Sequence, residues 1–175
     1  MNRHPWARSA AWLIDLVWIG GWVAALAAIG ATLYATGVVR DLNVAAGNVV
    51  SFLVLVAPVT LALAWFESGA HATVGKRIRR LRVVDATTGA RIPFLRALVR
   101  NAVKVAVPWE LGHVVVNGLT ETSGGVSGWL MAAAIAANLV PALYVATLFV
   151  AAGRTPADWL SGTMVVPANQ ENRSS

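Results

Sequence analysis

The sequence predicts an all-α membrane protein: a four-transmembrane-helix bundle with a small cytoplasmic β-hairpin layer. Three observations predict it. Only 13% of the 175 residues are charged and the mean hydropathy is +0.63, whereas an average soluble domain is about a quarter charged. Four apolar blocks, 10–35, 44–66, 99–119 and 128–152, approach or exceed the length that crosses a bilayer, which takes about 20 residues. Nearly all Lys and Arg then fall on one side of those blocks, the asymmetry that sets cytoplasmic loops. The chain reads as a single domain over 1–175.

The first block is uncharged apart from Asp15 and follows Arg3 and Arg8. A secretory signal would have a shorter apolar core, about 7–15 residues, without an acid, so this block is expected to remain as a span. The second block holds no charge. The loop 67–98 carries Lys76, Arg77, Arg79, Arg80, Arg82, Arg91 and Arg96, while the opposite connections hold only Arg40. Both termini are therefore expected in the cytoplasm. Trp6, Trp65 and Trp129 near block ends suit the interfacial aromatic belts. Cysteine is missing from the sequence, which excludes disulfides and thiolate metal sites.

The loop stretch "GAHATVGKRIRRLRVVD" resembles a phosphate-binding loop only superficially. Five residues separate its glycines and Arg77 follows Lys76, whereas the motif needs four residues and then Ser or Thr. The charge is read as a topology signal, and as a layer that attracts anionic lipid by about 1 kcal/mol per base. Lys76, Arg77, Arg79, Arg80, Arg82, Arg96 and Arg100 are the candidate lipid or partner contacts. Nucleic acid is not expected as a partner. Residues 81–85 and 90–93 flank a Thr-Gly turn and predict a hairpin, with 164–166 alongside. In "GRTPADWLSGT", Thr155 is a helix cap, Pro156 suits the first turn, and Asp158 stands where a capping acid belongs.

Within the bilayer, Asp15 needs a partner on another helix. Arg8 lies seven residues before it, about 10 Å along the axis, and points the other way. The third block, entered near Val99 with Lys104 snorkelling to the headgroups, supplies Glu110, His113 and Asn117. Their i, i+3, i+7 spacing stacks them on one face, just after Pro108 interrupts the helix. An interrupted helix beside ionisable residues is how many transporters build a cation site. The expected cluster is Asp15, Glu110 and His113, either as an ion or proton pathway with Asn117 or as structural glue between helices. Glu110 and His113 also have the Glu-x-x-His spacing of di-iron bundles, but those need two copies. Glu67–His71 sits at a different depth, so no metal and no cofactor is expected.

Three segments in order, "RSAAWLID", "TVGKRIRRLRVVDATTGARIPFLRALVR" and "RTPADWLSGTMVV", resemble the RDD family of bacterial membrane proteins. The family takes its name from one arginine and two aspartates. Its arginine begins the first helix and its first aspartate lies within that helix, matching Arg8 and Asp15. The second aspartate corresponds to Asp85 or Asp158. Gly75, Lys76 and Arg154 belong to the same motif segments. The resemblance implies a membrane protein of about three spans, and some members are linked to sodium/proton exchange; a fourth span would depart from that count.

The expectation is a multi-pass bacterial inner-membrane protein, not an enzyme, moving protons or monovalent cations. The alternative is a non-transporting accessory or assembly subunit. Through its basic layer it would dock a membrane complex or anionic lipid, with a homodimer as one such assembly.

Overall fold

A computed structural model describes residues 4–39, 43–70, 72–121, 126–150 and 153–168. Of the residues named above, Arg3, Arg40 and His71 lie outside that set, as does the end of the fourth block. Helix α1 (Pro5–Ala35) starts with Pro at its first position, where the missing N–H would have had no partner anyway. Helix α2 (44–69) is capped by Asn43, whose side chain accepts the Ala46 N–H at 2.8 Å. Then come short α3 (Val74–Ile78), β1 (Leu81–Asp85), α4 (94–121), α5 (Gly128–Phe149), α6 (Pro156–Leu160) and β2 (Thr163–Pro167).

Three helices, α1 (Pro5–Ala35), α2 and α5 (Gly128–Phe149), are long and apolar enough to cross a membrane. Helix α4 matches the third apolar block in place, but carries Arg96, Arg100, Lys104 and Glu110 and does not join that class. Leu13, Val17 and Ile29 of α1 and Leu139 and Leu143 of α5 face outward, as lipid-facing side chains would.

Helices α2 and α4 share a local irregularity. Each turns π-helical for five residues, Phe52–Val56 and Ala102–Ala106, and each reaches a proline two residues later, Pro58 and Pro108. A proline cannot donate to the preceding turn, and a wider π turn absorbs the misfit. The carbonyls released there find donors on other helices. Trp22 Nε1 donates to Val54 O at 3.2 Å, and the Tyr144 hydroxyl donates to Val103 O at 3.1 Å. The expected interruption at Pro108 is thus a bulge inside a continuous helix.

The expected hairpin does not form. Strand β1 pairs antiparallel with β2, from Leu81↔Pro167 to Asp85↔Thr163, so the sheet joins the loop to the C-terminal segment. Residues 90–93 stay irregular for two reasons. Pro93 cannot donate to a ladder, and Asp85 curls the chain: its carboxylate accepts the N–H groups of Thr87 and Thr88 at 2.8 and 3.0 Å. Gly89 completes the turn at φ 70°, a conformation glycine adopts without strain. Ile92 then buries against Ala64, Val83 and Ala97. That cluster ties the sheet to α2 and α4. A second one, Ile19, Val59 and Leu63, packs α1 on α2.

Candidate functional site: a buried charge network beside a cavity

The ionisable groups converge at the basic end of the bundle. Glu67, in the last turn of α2, is fully buried. Its Oε1 accepts from Lys76 Nζ and Arg100 Nη1, both at 2.7 Å, and its Oε2 accepts from Asn101 Nδ2 at 2.8 Å. Arg100 reaches on to Asp158, with Nε at 3.0 Å and Nη2 at 2.8 Å from Oδ1. Asp158 Oδ2 takes Arg8 Nη2 at 2.7 Å. Arg8 also donates through Nη1 to the Gly153 carbonyl. One chain of ion pairs therefore runs Arg8–Asp158–Arg100–Glu67–Lys76 and binds α1, α2, α3, α4 and α6. Removing a single partner from such a network strands a charge, at a cost of about 3–5 kcal/mol.

Asp158 also completes the cap expected of it. The Asp158 N–H donates to Thr155 Oγ1 at 3.3 Å, and the Thr155 N–H donates to Asp158 Oδ2 at 2.9 Å, a reciprocal capping box. Burial pushes its carboxyl toward protonation, but Arg100 and Arg8 outweigh that and hold it below the ordinary aspartate range. The cap and the ion pair are one residue's two uses.

Asp15 has a different task. It is buried in α1, and its Oδ1 accepts the Gly75 N–H at 2.8 Å while Oδ2 accepts the Thr73 hydroxyl at 2.6 Å. Gly75 lies in the first turn of α3, whose leading N–H groups have no partner within the helix. Asp15 thus caps α3 from another element. The contact is close: a Cβ on Gly75 would stand 2.0 Å from the Ala11 carbonyl oxygen. Only glycine fits.

The expected Asp15–Glu110–His113 cluster is not brought together, because both Asp15 oxygens are taken by the α3 segment. Glu110 is half-buried on α4. His113 sits 3.2 Å from its own helix's Trp109 carbonyl. Asn117 donates its amide to Asn48 Oδ1, linking α4 to α2. Among the described residues no three His, Asp or Glu side chains gather as a metal site.

The basic residues divide by burial. Arg77, Arg79, Arg80, Arg91 and Arg96 are exposed, and Arg77 lies over the Phe66 ring at 5.9 Å. Arg82 is half-buried. Arg96 pairs with Asp85. The Thr87 hydroxyl, the Thr88 and Thr87 N–H groups and Arg96 hold the Asp85 carboxyl well below its ordinary range. Lys76 and Arg100, expected as lipid contacts, point inward and are 6% and 2% exposed, because Glu67 draws them in. Arg154 Nη2 comes within 3.4 Å of the Asp158 carbonyl.

A cavity of about 310 Å³ adjoins the network, with Arg8, Lys76, Arg100 and Lys104 in its wall. Lys104, expected to reach toward the headgroups, lines this space. Sequence reasoning overlooked Glu67 as the hub, together with Asn101 and Thr73. The available signal was an acid ending an otherwise uncharged apolar block.

A family model described as the RDD family matches residues 3–120. The match includes Arg8, Asp15 and Asp85, while Asp158 lies beyond it. No curated protein and no solved structure matches this chain.

Proposed function

The chain belongs to the RDD family of membrane proteins, and we propose that it serves there as a non-transporting, non-enzymatic accessory module. In this reading it crosses the bacterial inner membrane four times with both termini in the cytoplasm. Its basic layer docks anionic lipid or a membrane complex. One observation carries the reading: among the described residues the carboxylates Asp15, Glu67 and Asp158, though not Glu110, are engaged in bonds that join elements, while Arg77, Arg79 and Arg80 stand exposed beside apolar Val74 and Ile78. Bases next to exposed apolar side chains suit a headgroup layer. A carboxylate that moves a cation must instead release its partners in each cycle.

A second reading, proton-coupled exchange of a monovalent cation, is favoured by the paired π-helical turns in α2 and α4, a feature frequent at functional sites. Liposome reconstitution separates the two. The accessory reading expects no proton flux when sodium or potassium is added. It also expects a thermal midpoint higher in phosphatidylglycerol than in phosphatidylcholine, with that gain lost in the Arg77→Gln/Arg79→Gln/Arg80→Gln variant. Cation-driven flux that disappears in Asp15→Asn would replace it with the exchange reading.

A further inference from the structure

We propose that the cavity beside the charge network is a stoichiometric site for one amphiphilic monoanion, a membrane lipid with a phosphodiester headgroup. This does not depend on the accessory reading, which concerns the outer basic layer. Four cations, Arg8, Lys76, Arg100 and Lys104, stand in the cavity wall. Against them are three carboxylates: Glu67 and Asp158 in direct ion pairs, and Asp15 joined through Thr73, which accepts from Lys76 Nζ at 3.3 Å. With Lys104 protonated the surplus is one positive charge, which a single phosphodiester balances.

Lys104 is the group that carries this surplus. Arg100 spends its donors on Glu67 and Asp158, and Lys76 spends its own on Glu67 and Thr73. Lys104 has no hydrogen bond or ion pair among the described residues, yet it lines the cavity. To stay protonated in such a place, an ammonium needs an anion or water. The first is available in a bilayer at high local concentration.

The remainder of the wall explains why the anion should carry a tail. It is formed by apolar side chains of α1, α4 and α5, among them Trp12, Leu16, Val145 and Leu148. Trp12, Leu16 and Val145 in that wall are exposed, at 44%, 36% and 48%. The proposed site has its opening between these helices, toward the acyl chains, at those exposed apolar side chains. Its 310 Å³ is too small for a whole phospholipid. It suits a headgroup and the start of a chain, with the rest leaving through that opening. A zwitterionic lipid would place a further positive charge among four cations and is disfavoured.

Native mass spectrometry of the full chain from neutral detergent tests this, using dioleoylphosphatidylglycerol, dioleoylphosphatidylcholine, oleate and inorganic phosphate as probes. One phosphatidylglycerol should remain bound per chain under activation that strips phosphatidylcholine. Lys104→Gln should weaken it about tenfold, the scale of one charge-assisted hydrogen bond, and Lys104→Arg should restore it. Lys104→Gln breaks no ion pair among the described residues, so its lipid-free thermal midpoint should match the parent. Val145→Trp, which narrows the opening, should weaken phosphatidylglycerol as well. The Arg77→Gln/Arg79→Gln/Arg80→Gln variant should keep the one bound lipid, separating this site from the outer layer. Unchanged affinity in both Lys104→Gln and Val145→Trp would overturn the site. Displacement by inorganic phosphate at equal concentration would reduce it to a free-anion site, and tighter binding of oleate would overturn the phosphodiester assignment.

Discussion

Glu67 accepts from Lys76, Arg100 and Asn101 at once, so the charge on one carboxylate orders three elements. Glu67→Gln keeps the shape but leaves Arg100 and Lys76 facing a neutral amide. The expected loss is about 3–5 kcal/mol, read as a lowered unfolding midpoint in detergent. A midpoint within about one degree of the parent would show that the network contributes little. At Asp15 the isosteric Asn retains one acceptor for two donors, and the expected loss is smaller, about 1–3 kcal/mol. Gly75→Ala should cost more than an ordinary helical substitution, since its Cβ meets backbone rather than a movable side chain. Acid should also act through Asp158 and Asp85. Both are held below the ordinary value of 3.8 in the folded chain, so the stability they contribute is complete above that value and is lost as pH falls below it. Asp85→Asn should flatten part of this acid limb in a stability–pH profile. An identical profile would remove Asp85 as a source.

The elements show how local chemistry and distant partners share the work. In α2 and α4 the sequence supplies a proline, the helix answers with a π turn, and an aromatic donor from a different helix satisfies the freed carbonyl. Tyr144→Phe removes that donor from Val103. The expected cost is about 0.5–1.5 kcal/mol, and Trp22→Phe should behave alike at Val54, both read by thermal unfolding. The cap at Thr155–Asp158 was legible, because its residue types and spacing are those a capping box needs. The hairpin was misjudged for a physical reason. Short β-prone runs pair with whatever edge tertiary packing presents, and β1 receives an edge from residues near the far end of the chain. The Asp-x-Thr turn that looked like a hairpin tip instead turns the chain toward α4.

At the scale of the whole molecule, the C-terminal segment closes the structure. Asp158 and β2 lie after the last apolar helix, yet Asp158 holds Arg8 at the start of the first and Arg100 within α4, and β2 pairs with β1. A chain ending at Phe149 keeps every helix long enough to cross a membrane. It is nonetheless expected to lose its compact fold, measured as broadened gel filtration and faster proteolysis. A monodisperse, resistant truncation would show that the network is dispensable. The fourth crossing has its own test. Cysteines introduced at exposed Thr88 and Val126 should be labelled from opposite faces of the membrane if α4 spans it, and from one face if it does not.

By itself the sequence determined the class of the protein, the positions of its four long helices and the identity of its family. Those follow from hydropathy, local spacing and short motifs, which act along the chain and need no partner. The pairing of 164–166 with 81–85 was also legible, whereas whether 90–93 would join them, which residues would meet Asp15, and which of the basic residues would be buried were decided only by the tertiary structure. Most of those outcomes turn on contacts between residues dozens of positions apart, as in Asp15–Gly75 and Glu67–Arg100. A charge in a low-dielectric interior takes whichever opposite charge the packing brings within reach, and sequence separation does not specify that distance.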